Sequence, residues 1–198
     1  MKIVLASNNA GKLREFAQML EPLQWRVLPQ REFGVPEIPE PHPTFVENAL
    51  AKARHAAAVT GRAALADDSG LCVPFLGGAP GVHSARFAGE PKDDARNNAK
   101  LVECLSAQAR SEADWRAYFV AVLVFVRSAD DPLPTIAEGR WVGRVVAQAR
   151  GARGFGYDPH FYVPEAGLTA AELDDHAKHA RSHRGLALRE LVRRLAAD

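Results

Sequence analysis

Residues 2–20 read KIVLASNNAGKLREFAQML. Residues 2–6 form a short, continuously apolar strand, the pattern of a strand buried on both faces. It enters a polar, glycine-containing turn, Ser7-Asn8-Asn9-Ala10-Gly11-Lys12, and then Leu13, Phe16, Ala17 and Leu20 recur on one face of a helix. Strand, loop and helix in this order point to the α/β class.

Outward from that unit, a second strand is predicted around Trp25 to Leu28, followed by VPEIPEPHP at 35–43. Four alternating prolines remove amide donors there and force an extended loop, from which Glu37 and Glu40 project. Thr44 with Glu47 three positions on is a capping-box pattern, opening an alanine-rich helix to about Val59 with Lys52 in its middle. Ala63 to Ala66 reads as a buried strand running directly into Asp67, Asp68, Ser69 and Gly70, which places carboxylates at a strand end. GGAPGVHSARFAG at 77–89 lets the backbone approach a ligand closely, and a helix is predicted from Asp93 to Leu105. Tyr118 to Val126 and Ile136 to Val146 flank a turn at Asp130 to Pro132, an antiparallel pair that makes the sheet mixed. RGFGYDPHF at 153–161 is a glycine-spaced aromatic loop, and a short helical stretch is predicted near Ala170. A basic segment runs from Lys178 to Arg184. The last helix puts Leu188, Leu191, Val192 and Leu195 on one face, with Arg189, Glu190, Arg193 and Arg194 to solvent.

The 198 residues suit one domain, 1–198, and 47% hydrophobic with 25% charged residues is ordinary for a globular chain. A formal net charge of +1 argues against a surface built for duplex nucleic acid, so phosphate binding must be local. Cys72 and Cys104 form no CxxC pair and fit a reducing compartment. The amino terminus lacks a secretory h-region, and the longest apolar run, Ala117 to Val126, is about half of the ~20 residues a bilayer span needs. The expectation is a cytoplasmic protein that binds neither membrane nor nucleic acid.

SNNAGK lacks the glycine five positions before Gly11, and Leu13 stands where a Walker A loop needs Ser or Thr, so a P-loop is unsupported. What remains is a strand-to-helix turn with side-chain donors, free helix-start amides and the Lys12 charge, suited to a phosphate or, equally well, an ordinary capped turn. Asp67, Asp68 and Glu40 offer the hard oxygen ligands that Mg²⁺ uses when it bridges protein to substrate phosphates, and one of them can deprotonate water. A DDSG run is also a common turn or cap. His176, His179 and His183 have helical spacing, but nothing completes a zinc pattern. Lys178, Arg181, His183 and Arg184 read as an anion and base-edge segment or as a solvated helix face. Phe155 between two glycines, beside Tyr157 and Asp158, can stack on a base or plug a packed loop. Ser69 lies in no G-x-S-x-G elbow, which disfavours a serine hydrolase.

Taken together, SNNAGK, TFVENALAKA, ALADDSGL, GGAPGVHSARFAG, GFGYDP and SHRGLAL, in this order and spacing, resemble the inosine triphosphatase family, the dITP/XTP pyrophosphatases, from Ile3 to the last helix. The resemblance implies an elongated α/β fold of two lobes around a mixed sheet, with a nucleotide cleft between the lobes and a homodimeric assembly. It implies a nucleoside triphosphate substrate, with Ser7 to Lys12 and Lys52 on the triphosphate, Glu40 and Asp68 at Mg²⁺, and Asp68 as proton acceptor. It also implies nucleotide contacts from Ser69, Phe155, Gly156, Tyr157, Asp158, Lys178, His183 and Arg184, with Phe155 stacked on the base. Ser7-Asn8-Asn9 departs from the TGN form common in relatives: Ser7 keeps the hydroxyl, while Asn8 restricts the backbone. The implied reaction releases pyrophosphate from dITP, ITP or XTP. The rivals are a Maf-like pyrophosphatase acting on other nucleotides and a non-catalytic nucleotide sensor.

Overall fold

The structure, a computed structural model, describes residues 1–196, with only the backbone of Leu23. Among the described residues, seven strands form a sheet of order β2-β1-β3-β4-β5-β6-β7, accompanied by five α-helices. The strands are β1 Lys2–Leu5, β2 Arg26–Pro29, β3 Ala64–Cys72, β4 Arg116–Val126, β5 Thr135–Val145, β6 Phe161–Val163 and β7 Leu168–Thr169. The helices are α1 Ala10–Leu20, α2 Phe45–Thr60, α3 Asp94–Gln108, α4 Asp175–Arg181 and α5 His183–Leu195. β1 pairs in parallel with β2 and with β3, whereas β6 is antiparallel to β5 and β7. The sheet is therefore mixed and the class α/β, as the sequence predicts.

Contacts divide the chain into two compact units. The first comprises Met1–Asp68, Ala121–Gly139 and the chain from Arg184 on; the second comprises Ser69–Val120 and Arg140–His183. The first has its own core, in which Ile3 and Leu5 of β1, Phe16 and Leu20 of α1, Leu65 of β3, Leu123 of β4 and Leu191 of α5 are all fully buried. The second buries Leu71, Leu101, Leu105, Phe119, Trp141 and Phe161. At about 1.5–3 kcal/mol for each large side chain removed from water, these two clusters dominate the favourable side of folding. Among the described residues, no helix is long and apolar enough to cross a membrane.

Three local readings change. β3 does not end at Ala66 but continues through Asp67, Asp68, Ser69 and Gly70 to Cys72. Asp and Gly disfavour strands, yet tertiary pairing overrides that preference in a strand flanked by β1 and β4. No helix forms near Ala170: β7 and a turn occupy that stretch, and the helix waits for the Asp174 cap, whose side chain accepts from the Ala177 amide at 2.7 Å. Ala17 of α1 is exposed, because it lies at the rim of the stripe that buries Phe16 and Leu20.

The turn between β4 and β5 is held by Asp131, which is 5% exposed. Its carboxylate accepts from the Arg127 amide at 2.8 Å and from the Leu133 amide at 3.0 Å. These two amides hold the Asp131 carboxyl below the usual carboxylate range. Asp131→Ala should cost about 1–3 kcal/mol at neutral pH, since it leaves amides unpaired. A lowered folded-state pKa contributes stability that is present above the unfolded value of about 3.9 and lost as pH falls through the lower folded value. Urea unfolding of parent and variant should thus show the gap closing below about pH 4; a gap unchanged from pH 7 to pH 3 would reject the role.

Candidate active site

In the first unit, parallel pairing of Val4 and Leu5 with Ala64 and Leu65 sets β1 beside β3. The ladder ends where the Ala6 amide donates to Leu65 O at 2.9 Å. There β1 gives way to the Ser7–Asn9 turn while β3 runs on, which brings Lys12 at the start of α1 alongside Asp67. The turn is ordered by its own side chains: the Asn9 amide donates to Ser7 Oγ at 3.2 Å, the Lys12 amide donates to Asn9 Oδ1 at 3.0 Å, and Asn8 Nδ2 donates to Glu37 Oε1 at 3.0 Å. Asn9 is thus the helix N-cap. The start of α1 points a positive dipole end and the exposed Ala10 out of the turn.

Because β3 is extended, successive side chains project to opposite faces, so Asp67 and Asp68 meet different partners. Asp67 Oδ2 accepts from Lys12 Nζ at 2.9 Å and from Arg184 Nε at 3.1 Å, while Arg184 Nη1 reaches Glu15 Oε2 at 2.8 Å. Asp68 Oδ1 accepts from Lys52 Nζ at 2.9 Å, and the same ammonium donates to Glu40 Oε1 at 2.6 Å and to Asp67 O at 3.0 Å. Lys52 comes from α2, whose alanine face, Ala49, Ala53, Ala56 and Ala57, is buried and lets the helix lie close. Glu40 is delivered by the proline loop. Buried Asn48 clamps that loop, accepting from the His42 amide and donating to His42 O, each at 3.1 Å.

The two aspartates titrate in opposite directions. Burial pushes the Asp67 carboxyl up, but Lys12 and Arg184 outweigh it and hold the group far below the usual range. Burial pushes Asp68 up as well, and there the Lys52 charge, shared with Glu40, does not cancel it. Burial likewise lowers Lys12, with Asp67 only partly offsetting it, whereas Asp68 and Glu40 overcome burial and raise Lys52. Asp68 Oδ2 is buried and has no hydrogen-bond partner among the described residues. Those residues also contain no group of three or more His, Cys, Asp or Glu that could hold a metal. Two carboxylates converging on one point, one with an unused oxygen, fit Mg²⁺ that takes its remaining ligands from phosphate and water, not a closed protein cage.

In the second unit the GFGYDP segment is a loop folded on Asp158. Its Oδ2 accepts from Lys178 Nζ at 2.8 Å and from the Phe155 amide at 2.9 Å. Gly154 has φ +75°, and a Cβ there would collide with the Asp158 carboxylate, so the glycine is required for the loop to close on it. Phe155 is half-buried, with Lys178 Nζ 5.4 Å from its ring centroid. Tyr157 is buried, and its hydroxyl donates to Ser84 O at 2.8 Å. His183 is 3% exposed and lies nearly parallel to Phe119, centroids 4.8 Å apart, with Trp141 at 6.5 Å. Ser69, half-buried, follows Asp68 on β3.

Of the residues singled out in the sequence, Glu40, Lys12, Lys52, Asp68 and Arg184 gather in the first unit, and Phe155, Gly156, Tyr157, Asp158, Lys178 and His183 belong to the second. Arg184, read above as part of an anion and base-edge segment, is bound to Asp67 and Glu15. Glu15, Asn48, Asp94 and Asn98 have structural engagements that went unread. The polar Asn48 and Asn98 at positions that helices α2 and α3 bury were the available signals.

The model of the Ham1 family matches residues 3–194. The chain is 62% identical over 195 residues to a dITP/XTP pyrophosphatase of Aromatoleum aromaticum, covering 98% of this chain and 96% of that one. It is 64% identical over 197 residues to a dITP/XTP pyrophosphatase of Burkholderia pseudomallei, covering 98% and 93%. The solved structure of a HAM1 protein from Coxiella burnetii matches with a TM-score of 0.91 and 48% identity, covering 100% of both chains. Whole-chain identity at this level, a matching fold and the motif order read from the sequence agree, and the chain belongs to the Ham1 family.

Proposed function

We propose that the protein is a nucleoside triphosphate pyrophosphatase that hydrolyses the non-standard purine nucleotides dITP, ITP and XTP to the monophosphate and pyrophosphate, cleansing the cytoplasmic nucleotide pool. The observation that carries this reading is the adjacent pair on β3: Asp67 engaged with two cations, Asp68 raised by burial with one oxygen unused. Environments that push two neighbouring carboxylates apart assign separate tasks to them.

Asp68 Oδ2 takes a proton from water as the water oxygen bonds to the α-phosphorus. The bond from that phosphorus to the bridging oxygen breaks, and the electron pair leaves on pyrophosphate. Lys12, Lys52, the Ser7–Lys12 turn amides and the start of α1 offset charge on the phosphate oxygens. Glu40 and Asp68 would hold Mg²⁺, which when bound neutralises charge on the transferring and leaving groups. Phe155 stacks on the base, while Lys178 and His183 donate toward a 6-keto oxygen; adenine presents an amino donor there, and opposed donors left unpaired discriminate strongly. Ser69, Gly156, Tyr157 and Asp158 complete the nucleotide contacts. Arg184, which also holds Asp67, is a further nucleotide contact in this reading.

A homodimer fits the same reading. Val142 is 72% exposed on β5, between Arg140 over the Tyr118 ring and Arg144 over the Tyr162 ring. Sedimentation should return twice the monomer mass.

The test is a pyrophosphate-release assay over a nucleoside triphosphate panel. Activity should need Mg²⁺, release pyrophosphate rather than stepwise phosphate, and favour dITP, ITP and XTP over dATP and dGTP in kcat/KM. Full turnover in excess EDTA, or equal rates on dATP, would overturn the proposal. Preference for pyrimidine nucleotides would favour a Maf-like enzyme, and binding without turnover a sensor.

A further inference from the structure

We infer that Asp94 and Asn98 of α3 are positioning residues that set the pose of Phe155, and through it the enzyme's affinity for the nucleotide base. The inference rests on the reading of Phe155 as the base-stacking residue. Gly156, next to Phe155, has both backbone groups gripped by this helix: its amide donates to Asp94 Oδ2 at 2.7 Å, and its carbonyl accepts from Asn98 Nδ2 at 2.8 Å. The Phe155 amide is taken by the Asp158 carboxylate, so three polar groups of the loop backbone end on side chains.

Close packing does not explain this hold. A cavity of about 580 Å³ lies between α3 and the loop, lined by Ala95, Val102, Ala147 and Pro159, and Phe155 and Gly156 border it. Because Phe155 borders that space, the polar grips on the adjacent Gly156 contribute to holding it in place. Asn98 is 7% exposed and spends both amide hydrogens, one on Asp94 O and one on Gly156 O, each at 2.8 Å. That rotamer leaves Oδ1 buried with no hydrogen-bond partner among the described residues. A buried acceptor left unsatisfied costs stability, and such exceptions ask for a reason beyond packing. Two α3 side chains reaching a loop 58 and 62 positions away supply one: they fix the φ +63° turn at Gly156 that presents Phe155.

The experiment measures kcat and KM for dITP and XTP in Asp94→Ala, Asn98→Ala, Asp94→Asn and Phe155→Ala, and in both alanine variants combined with Phe155→Ala. Asp94→Ala and Asn98→Ala should each raise KM about tenfold with kcat within about threefold, the signature of lost uniform binding. Asp94→Asn keeps an acceptor for the Gly156 amide and should stay within about twofold of the parent. In the Phe155→Ala background the same alanine changes should add less than about twofold, because the ring they position is gone. Asp94 is exposed, so its variant should fold even if Asn98→Ala does not. If Phe155→Ala raises KM but Asp94→Ala does not, or if the effects add fully with Phe155→Ala, the positioning role is wrong. If Phe155→Ala itself leaves KM unchanged, the stacking reading fails first and takes the inference with it.

Discussion

Asp68→Asn is expected to lower kcat by about 10² to 10⁴ while nucleotide affinity changes much less. The substitution keeps size and shape but removes the group whose Oδ2 is buried and unused, and whose pKa burial has raised. Capture should survive, because Lys12, Lys52 and the amides of the first turn hold charge without it. Folding should survive too. The amide oxygen introduced by the substitution can still accept from Lys52, and Lys52 retains Glu40 at 2.6 Å, so no buried cation is stranded. Calorimetric Kd and pyrophosphate release under saturating Mg²⁺ read the two effects separately. Near-normal kcat would show that Asp68 is not the base.

The largest loss of stability is expected next door. Asp67→Ala would leave Lys12 and Arg184 facing one another without the carboxylate that both use, although Arg184 keeps Glu15. Removing one partner of a buried ionic cluster typically costs about 3–5 kcal/mol, since the charges that remain lose compensation while still desolvated. For a chain of this length each kcal/mol moves Tm by about 2–4 °C, so a fall of roughly 6–20 °C should appear in a thermal scan. Asp67→Asn, which keeps an oxygen acceptor, should fall less. The contrast between neighbours is the discriminating result: position 67 should lose stability first, and position 68 should lose turnover with its Tm nearly intact. A stable Asp67→Ala would mean that the cluster contributes little and that Arg184 is available for another task.

Much of this architecture could be read locally. The apolar run of β1 with its polar turn, the Thr44 and Glu47 cap of α2 and the apolar stripe of α5 rest on neighbours within a few positions, where periodicity and capping chemistry decide the outcome. The motif order also sufficed to recognise the family. Propensity misread β3, because Asp and Gly look like a turn until β1 and β4 are in place on either side. The division of labour between Asp67 and Asp68 followed from that same extended backbone, which sends adjacent side chains to opposite faces. The partners that then set their charge states lie far along the chain: Arg184 is 117 positions from Asp67, and Lys52 is 16 from Asp68. Sequence alone determined which residue types were present and which segments they occupied. Tertiary structure decided which charges share a desolvated site, because Coulomb energy and burial depend on separations of a few ångströms that the fold creates and chain spacing does not encode.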